Sequence, residues 1–212
     1  MAVTRRFLGA AAIAGAALLG TAFALPAAAA PTIGQPAPAF TATDVNGKTV
    51  SLADYKGKVV VLEWTNHGCP FVKKHYGSGN MQALQKDYTA KGVVWLSVVS
   101  SAPGEQGHVS AEEGLKVMKE AGAAPTAKLL DPTGTIGRAY DAKTTPHMYV
   151  IGTDGKLLYN GAIDDKPTAK ADDVKTATPY VRQALDAVLA GKPVPVAETK
   201  PYGCNVKYSK GA

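Results

Sequence analysis

Two continuous apolar runs constrain the fold of this chain more than any other feature of its sequence. Residues 58–65 read KVVVLEWT and residues 93–100 read VVWLSVVS. Both runs are rich in β-branched residues, which is typical of strands buried on both faces of a parallel sheet. Residues 70–91, between the runs, show helical spacing of apolar side chains that is interrupted at Gly77-Ser78-Gly79. This order predicts a βαβ unit and an α/β fold with helices covering the sheet.

Turn and capping residues predict the elements around this unit. Asn46-Gly47 is a strong hairpin signal within residues 40–52. Ser110 followed by Glu113 forms a capping box that opens a helix toward Ala121. The other predicted elements are a strand over residues 127–131, a short helix over residues 135–140, a hairpin of residues 147–152 and 156–160, and a helix with Thr178 as N-cap and Pro179 in its first turn that ends at Gly191.

The first 29 residues are predicted to be a signal peptide. Arg5 and Arg6 precede an apolar run over residues 7–25, and Ala27 and Ala29 form a small-residue cleavage site. A membrane anchor is the alternative, because the run approaches the ~20 residues that span a bilayer. The arginine pair resembles a twin-arginine signal without its usual spacer residue. We expect a periplasmic or secreted protein, with no stable membrane insertion after cleavage.

Composition narrows the class of protein. With 212 residues, 46% of them hydrophobic, 19% charged and only two cysteines, the chain is neither disordered nor a disulfide scaffold. Removing the two leader arginines lowers the formal charge by two, from +6 to +4. The remaining basic residues form no stripe, so nucleic acid is not an expected partner.

Three segments follow from these signals. Residues 1–29 are the signal peptide, residues 30–191 the folded domain, and residues 192–212 an extended arm with Pro193, Pro195 and Pro201. Within the domain, residues 164–175 are polar and charged, which predicts a surface loop. The arm carries Cys204, and the domain carries Cys69.

Cys69 is the strongest candidate for chemistry. A buried strand ends near Thr65, and Cys69 comes directly before Pro70, a residue suited to the first helical position. A sulfur at a helix N-terminus is favoured as a thiolate, which is the reactive form. His67, Lys73 and Lys74 can add positive potential. The alternative is a buried structural cysteine.

Six short motifs in the predicted mature chain carry a family resemblance through their order and spacing. They are residues 34–40 (GQPAPAF), 64–72 (WTNHGCPFV), 145–151 (TPHMYVI), 154–156 (DGK), 161–165 (GAIDD) and 203–204 (GC).

The set resembles the thioredoxin-like superfamily, and more narrowly the exported peroxiredoxin-like redoxins of the alkyl hydroperoxide reductase and thiol-specific antioxidant group. The resemblance implies a three-layer α/β sandwich with a mixed central sheet. It also implies that Cys69 is the nucleophile, that Pro146 is cis and packs beside it, and that electrons pass by thiol–disulfide exchange. The expected partner is a redox protein or a peroxide, and no cofactor is implied.

The chain departs from both familiar site patterns. A second cysteine at the helix entrance is missing, and Phe71 lies near its place. The threonine or serine of a peroxidase site is replaced by Asn66, with Thr65 adjacent, and Leu62 replaces the proline of that site. Asn66 can still hydrogen-bond a peroxide oxygen, so peroxidase activity stays open.

Cys204 can replace the missing second cysteine. It can attack an oxidised Cys69 and form an intramolecular disulfide. The alternative is a permanent disulfide in a non-catalytic module that binds a metal or a partner protein, with His67, His75 and His147 near Cys69 as candidate ligands. Glu63, inside an apolar strand, is either a buried acid near Cys69 or a residue at the rim.

Overall fold

The computed structural model describes Met1 and residues 30–210. Apart from Met1, the predicted signal peptide lies outside these residues. Within them, no helix has the length and apolar character needed to cross a bilayer.

Nine strands and five α-helices make up the described chain. The strands are β1 (Thr41–Asp44), β2 (Thr49–Ser51), β3 (Val60–Trp64), β4 (Val94–Val99), β5 (Ala127–Leu130), β6 (Thr144–Thr145), β7 (His147–Ile151), β8 (Leu157–Gly161) and β9 (Cys204–Asn205). The helices are α1 (Pro70–Gly77), α2 (Asn80–Thr89), α3 (Ala111–Glu120), α4 (Thr135–Ala139) and α5 (Tyr180–Leu189), with 3-10 helices at Leu52–Tyr55 and Ala171–Thr176.

Seven strands form one mixed sheet in the order β2-β1-β5-β4-β3-β7-β8. Strand β4 runs parallel to β3 and β5, whereas β7 is antiparallel to β3 and β8. The predicted α/β fold with a mixed sheet is therefore confirmed. Strands β6 and β9 pair separately, and this small second sheet was not predicted.

Side chains on the two faces of the sheet form two separate cores. Along β3, Leu62 and Trp64 belong to one core, while Val61 belongs to the other. The first core includes Tyr140 beside α4, and the second includes Leu185 from α5. This alternation follows from the period of two along a strand, and it explains why the central strands are apolar on both faces.

Gly79 separates the two helices that follow β3. Its φ of +76° is a left-handed conformation that favours glycine, and it forms the N-cap of α2. The predicted interruption near Gly77 and Gly79 is thus a complete break. The chain turns there, and α1 and α2 pack as separate helices.

One local prediction was wrong. Pro179, and not Thr178, occupies the N-cap position of α5, and the Thr178 backbone N–H and hydroxyl both donate to the Asp165 carboxylate, at 2.8 and 2.9 Å. The predicted surface loop over residues 164–175 is exposed or half-buried, except at its first residue. Asp164 is only 3% exposed, since its carboxylate is held by the side chains of Lys74 and Tyr202.

The C-terminal arm lies against the domain along its described length. Val194 and Tyr202 pack on one core, and Val206 packs on the other. Glu198 forms a parallel bridge with Asn160 at the end of β8. The arm is largely irregular, as predicted, but it is a packed part of the fold.

Candidate active site

Cys69 lies where β3 gives way to α1. It is the N-cap of α1, and Pro70 takes the first helical position. The Cys69 backbone N–H donates to the Asn66 carbonyl at 3.0 Å, and Lys73 N–H donates to the Cys69 carbonyl at 2.9 Å. The side chain is completely buried. The sulfur therefore lies at the positive end of the α1 dipole, shielded from water.

The Thr145–Pro146 segment lies directly beside this sulfur. The peptide bond between the two residues is cis. The Thr145 carbonyl oxygen is 3.1 Å from Cys69 Sγ and accepts a hydrogen bond from the thiol. The cysteine loop and the start of α1 thus form one wall of the site. Strand β6, which contains Thr145, forms the adjacent wall.

Cys204 reaches the site from the arm. Its Sγ is 2.8 Å from Cys69 Sγ, and both residues are free thiols. The two are 135 residues apart in sequence, so only the tertiary fold brings them together. Pairing of β9 with β6 sets their approach, because Cys204 lies opposite Thr145 in the ladder.

Gly203 makes this approach sterically allowed. Its φ is +136°, and a Cβ atom at this position would collide with the Thr145 carbonyl oxygen. A side chain at position 203 would therefore push the arm away from the Cys69 loop. The Gly203-Cys204 motif was visible in the sequence, but this steric role was not.

A buried polar cluster holds the arm just before Cys204. The Tyr202 hydroxyl donates to Asp164 and contacts His75 Nε2 at 3.1 Å. Lys74 Nζ donates to the Tyr202 hydroxyl at 3.3 Å and to the Lys166 carbonyl at 2.7 Å, and it lies 3.5 Å from Asp164. The positive charge expected from Lys74 near Cys69 is therefore used in this cluster instead.

A second attachment lies after Cys204. The Tyr208 ring covers Gly134, the N-cap of α4, and Gly137 within that helix, where a side chain on either glycine would collide with Tyr208. The Tyr208 hydroxyl donates to the Ala142 carbonyl at 2.7 Å, and Arg138 lies over the ring at 4.5 Å. Cys204 is thus positioned from both sides.

The environment separates the two thiols in acidity. Burial alone raises the pKa of Cys69, but hydrogen bonds from the Cys204 thiol, from the Thr145 side chain and from the backbone N–H groups of Val72 and Cys204 outweigh it, so the pKa is lowered overall. Burial, the hydrogen bond to Cys69 and the charge of a Cys69 thiolate raise the pKa of Cys204 to about 11. Cys69 therefore ionises first, as a nucleophile paired with a thiol must.

Comparison with known proteins agrees with this arrangement. The sequence model described as the AhpC/TSA family matches residues 33–160, which is more than half of the chain. The chain belongs to the AhpC/TSA family. The matched part includes Cys69 and Pro146, whereas Cys204 and the rest of the arm lie beyond it. The expectations of a thioredoxin-like redoxin and of an oxidoreductase are confirmed.

Solved structures and a curated relative are also similar to this chain. An uncharacterized conserved protein from Geobacillus kaustophilus is 34% identical with a TM-score of 0.72, over 85% of this chain and 94% of its own. A hypothetical protein from Sinorhizobium meliloti is 26% identical with a TM-score of 0.68, over 86% and 98%. The thiol-disulfide oxidoreductase ResA of Bacillus thuringiensis is 29% identical over 126 residues, which are 59% of this chain and 67% of ResA.

The two peroxide-site candidates of this AhpC/TSA protein make no hydrogen bond to the sulfur. Asn66 Nδ2 donates to the Gln106 carbonyl at 3.0 Å, and its Oδ1 accepts from Gly68 N–H at 2.8 Å. Thr65 is buried, and it lines a cleft together with His67 and Val72. Neither side chain hydrogen-bonds Cys69 Sγ; Asn66 instead shapes the loop that presents it.

Glu63 is fully buried, not at the rim. Its Oε1 accepts from the Tyr76 hydroxyl at 2.8 Å, and its Oε2 accepts from Trp95 Nε1 at 2.8 Å, Gln85 Nε2 at 3.0 Å and Ser97 Oγ at 3.1 Å. Four donors thus satisfy the carboxylate within the protein. Through Tyr76, it also fixes the helix that begins at Cys69.

His75 and His147 hydrogen-bond different neighbours within the fold. His75 contacts Asn80 and Tyr202 through its two ring nitrogens. His147 contacts Asn160 on one side and Tyr149 on the other. Within residues 30–210, no group of three or more His, Cys, Asp or Glu side chains is arranged to hold a metal ion.

His67 is exposed beside the cysteine loop. Its pKa is lowered, first by partial burial and then by the charges of Lys128 and Lys73. The ring is therefore mainly neutral at neutral pH, and it does not supply the full positive charge expected of it. Lys73 is exposed near the helix entrance.

Proposed function

We propose that this protein is an exported thiol-dependent oxidoreductase in which Cys69 is the nucleophile and Cys204 the resolving cysteine. The observation that carries the proposal is the contact between the two sulfur atoms, 2.8 Å apart at the N-terminus of α1. The opposite pKa shifts of the two thiols support the division of roles. The ResA relative supports thiol–disulfide exchange as the chemistry.

Exchange with a disulfide proceeds in two displacements. The Cys69 thiolate attacks one sulfur of the substrate disulfide, forms a mixed disulfide, and releases the other sulfur as a thiolate that takes a proton. The Cys204 sulfur, after losing its proton, then attacks Cys69 Sγ and displaces the second substrate thiolate. The substrate gains two electrons, and the protein loses the same two as its two thiols become the Cys69–Cys204 disulfide. A dithiol donor restores the two thiols, and the same steps in reverse oxidise a substrate dithiol.

Reduction of a peroxide uses the same two residues. The Cys69 thiolate attacks one peroxide oxygen and becomes a sulfenic acid, while the other oxygen leaves as an alcohol or water after protonation. Cys204 then attacks the sulfenic sulfur, and water leaves as the disulfide forms. Because Asn66 and Thr65 make no hydrogen bond to Cys69 Sγ, the geometry favours a disulfide over a peroxide as the substrate.

Two cysteine variants test the proposal with each as the control for the other. The purified protein is given a peptide disulfide or a peroxide together with a dithiol donor, and turnover and protein mass are followed. We expect the reaction of Cys204→Ser to stop after the first step, with a mixed disulfide or sulfenic acid on Cys69. Cys69→Ser should show neither turnover nor a change in mass. Unchanged turnover by Cys69→Ser would refute the assignment.

The alternative is a structural disulfide, because a permanent Cys69–Cys204 bond would also hold the packed arm in place. If Cys69–Cys204 only pins the arm, its reduction potential should lie below about −300 mV, where structural disulfides resist reduction by cellular thiols. A redox-active pair should lie well above that value. Equilibration against a series of dithiol buffers, with the oxidised fraction read by intact mass, separates the two.

The proposed export rests on residues 1–29. We expect a mature N-terminus at Ala30 in a periplasmic or secreted fraction, produced by cleavage after Ala29. N-terminal sequencing of the protein recovered from the producing cell tests this. Replacing Arg5 and Arg6 with alanine should retain the protein inside the cell, because the charged region before the apolar run is lost.

A further inference from the structure

Lys128 is a nearly buried lysine without a hydrogen-bond or ion-pair partner in the described chain. It lies in β5 and is only 6% exposed. Among the described residues, its ammonium group has no hydrogen bond and no ion pair within 4.0 Å. A buried charge is costly unless it is paired, and burial lowers the pKa of Lys128 accordingly. The position is therefore one where an anion would be stabilised.

The sheet register explains why no carboxylate of the protein satisfies this lysine. Glu63, Ser97 and Lys128 lie opposite one another on the neighbouring strands β3, β4 and β5. The Glu63 carboxylate is the acid on this row, and its two oxygens already accept from four other groups. It moderates the burial effect on Lys128 through its charge, but it does not bind the ammonium.

Lys128 lines a cleft of about 130 Å³ between the cysteine loop, α1 and the end of α3. The walls are mostly apolar and include Val72, Val117, Met118 and Pro125. No acidic side chain of the described chain lines the cleft, whereas Lys73 and His67 do. The cleft thus combines apolar walls with two lysine side chains, Lys73 and Lys128, and no carboxylate.

Volume sets the size of a matching ligand. A protein cavity of about 150 Å³ accepts a benzene molecule. A cleft of about 130 Å³ therefore fits an apolar body close to the size of a benzene ring, with room at its open side. The unpartnered ammonium selects for a single negative charge on that body.

We propose that this cleft is a binding site for small organic monocarboxylates with an apolar body of benzene size. The carboxylate pairs with Lys128, and the apolar body packs between α1 and α3 against Val72, Met118 and Pro125. The site is separate from the Cys69 sulfur, which does not line the cleft. It is a non-covalent site that the thiol chemistry does not require.

Calorimetry with benzoate as the probe tests the proposal on the purified, fully reduced protein. Benzyl alcohol and benzylamine are the matched probes, because they keep the ring and change the charge. We expect benzoate to bind most tightly. Equal binding of benzoate and benzyl alcohol, or no benzoate binding at millimolar concentration, would overturn the proposal. Because neither cysteine takes part, the result does not depend on the proposed redox function.

Two pairs of variants locate the binding. Lys128→Met should weaken benzoate about tenfold or more, since it removes a charge-assisted contact, whereas Lys119→Met, an exposed lysine of α3 outside the cleft lining, should change affinity less than about twofold. Ala123→Leu should fill the cleft and weaken binding, while Ala124→Leu adds the same bulk outside the lining. If Lys128→Met does not fold, the alanine pair decides. Full affinity in both Lys128→Met and Ala123→Leu would contradict the site.

Discussion

The Tyr202 hydroxyl donates a hydrogen bond to the Asp164 carboxylate, and this contact ties the arm to the domain two residues before Cys204. Burial and the neighbouring carboxylate raise the pKa of Tyr202 well above its ordinary value, so the phenol remains a donor at any physiological pH. The same oxygen accepts from Lys74. The polar cluster that holds the arm just before Cys204 therefore depends on one hydroxyl group.

Removing that hydroxyl should loosen the arm. Tyr202→Phe leaves Asp164 and Lys74 with one hydrogen bond fewer each, which should cost about 1–3 kcal/mol of unfolding free energy. Amide hydrogen exchange should increase around Cys204. Tyr180→Phe is the control, because the Tyr180 hydroxyl has no hydrogen bond within the described chain, and it should change the stability by less than about 0.5 kcal/mol. Equal losses in the two variants would show that the cluster does not hold the arm.

Gly203→Ala should separate the two sulfur atoms. The added Cβ meets the Thr145 carbonyl oxygen, and the φ of +136° disfavours alanine, so Cys204 must move away from Cys69. We expect disulfide formation under oxidised glutathione to slow by about tenfold or more, as followed by alkylation and intact mass. Gly77→Ala, at a position with open space around it, should keep the wild-type rate. An unchanged rate in Gly203→Ala would contradict the steric role.

The two thiols should titrate in a fixed order. Cysteine Cβ chemical shifts measured by NMR should show Cys69 ionising at a lower pH than an ordinary thiol and Cys204 near pH 11. In Cys204→Ala, the pKa of Cys69 should rise because the donor thiol is lost. In Cys69→Ala, the pKa of Cys204 should fall because the negative charge is lost. A Cys69 pKa that ignores the Cys204 substitution would show that the pair is not coupled.

Acid should destabilise the fold through its buried histidines. Burial lowers the pKa of His75 and of His147 to about 4, below the value of about 6.5 in an unfolded chain. The unfolded chain therefore binds more protons between these values, and stability is lost as the pH falls from about 6.5 to about 4. The loss should reach about 3 kcal/mol for each histidine.

Urea unfolding across this pH range measures that loss. His147→Gln should be less stable than the wild type at neutral pH, but its stability should decline less steeply toward pH 4, because one buried imidazole no longer has to be protonated. The half-buried His108 provides a control, and His108→Gln should keep the steep wild-type decline. Parallel curves for the wild type and His147→Gln would rule out a contribution from His147.

The parts of the site that depend on neighbouring residues are predictable from the sequence. Consecutive apolar residues predict β3 and β4, and the Cys69-Pro70 pair predicts the helix entrance, because backbone geometry and burial are set there by neighbouring residues. The cis bond before Pro146 came from the family resemblance, since a single X–Pro bond carries little information about its isomer.

The remainder depends on contacts between distant segments. Strands β6 and β9 have two residues each and no periodic pattern, and they exist only because the arm returns to the domain. The sequence around Asp164 is typical of a surface loop, and its burial depends on the contact with the distant Tyr202. The burial of Lys128 gives no signal in the sequence. A charged residue beside Leu129 and Leu130 is typical of a strand with one face toward solvent, whereas the neighbouring elements of the fold bury this one.

Because the two cysteines are 135 residues apart, Cys69 is synthesised well before Cys204. At roughly 5–20 residues per second, on the order of 10 seconds passes between the addition of Cys69 and that of Cys204. Through that interval the nascent chain holds a thiol whose only intramolecular partner has not been made. Whatever keeps that thiol reduced must act before the arm arrives, so protection of the nascent cysteine falls to the cell and not to the fold.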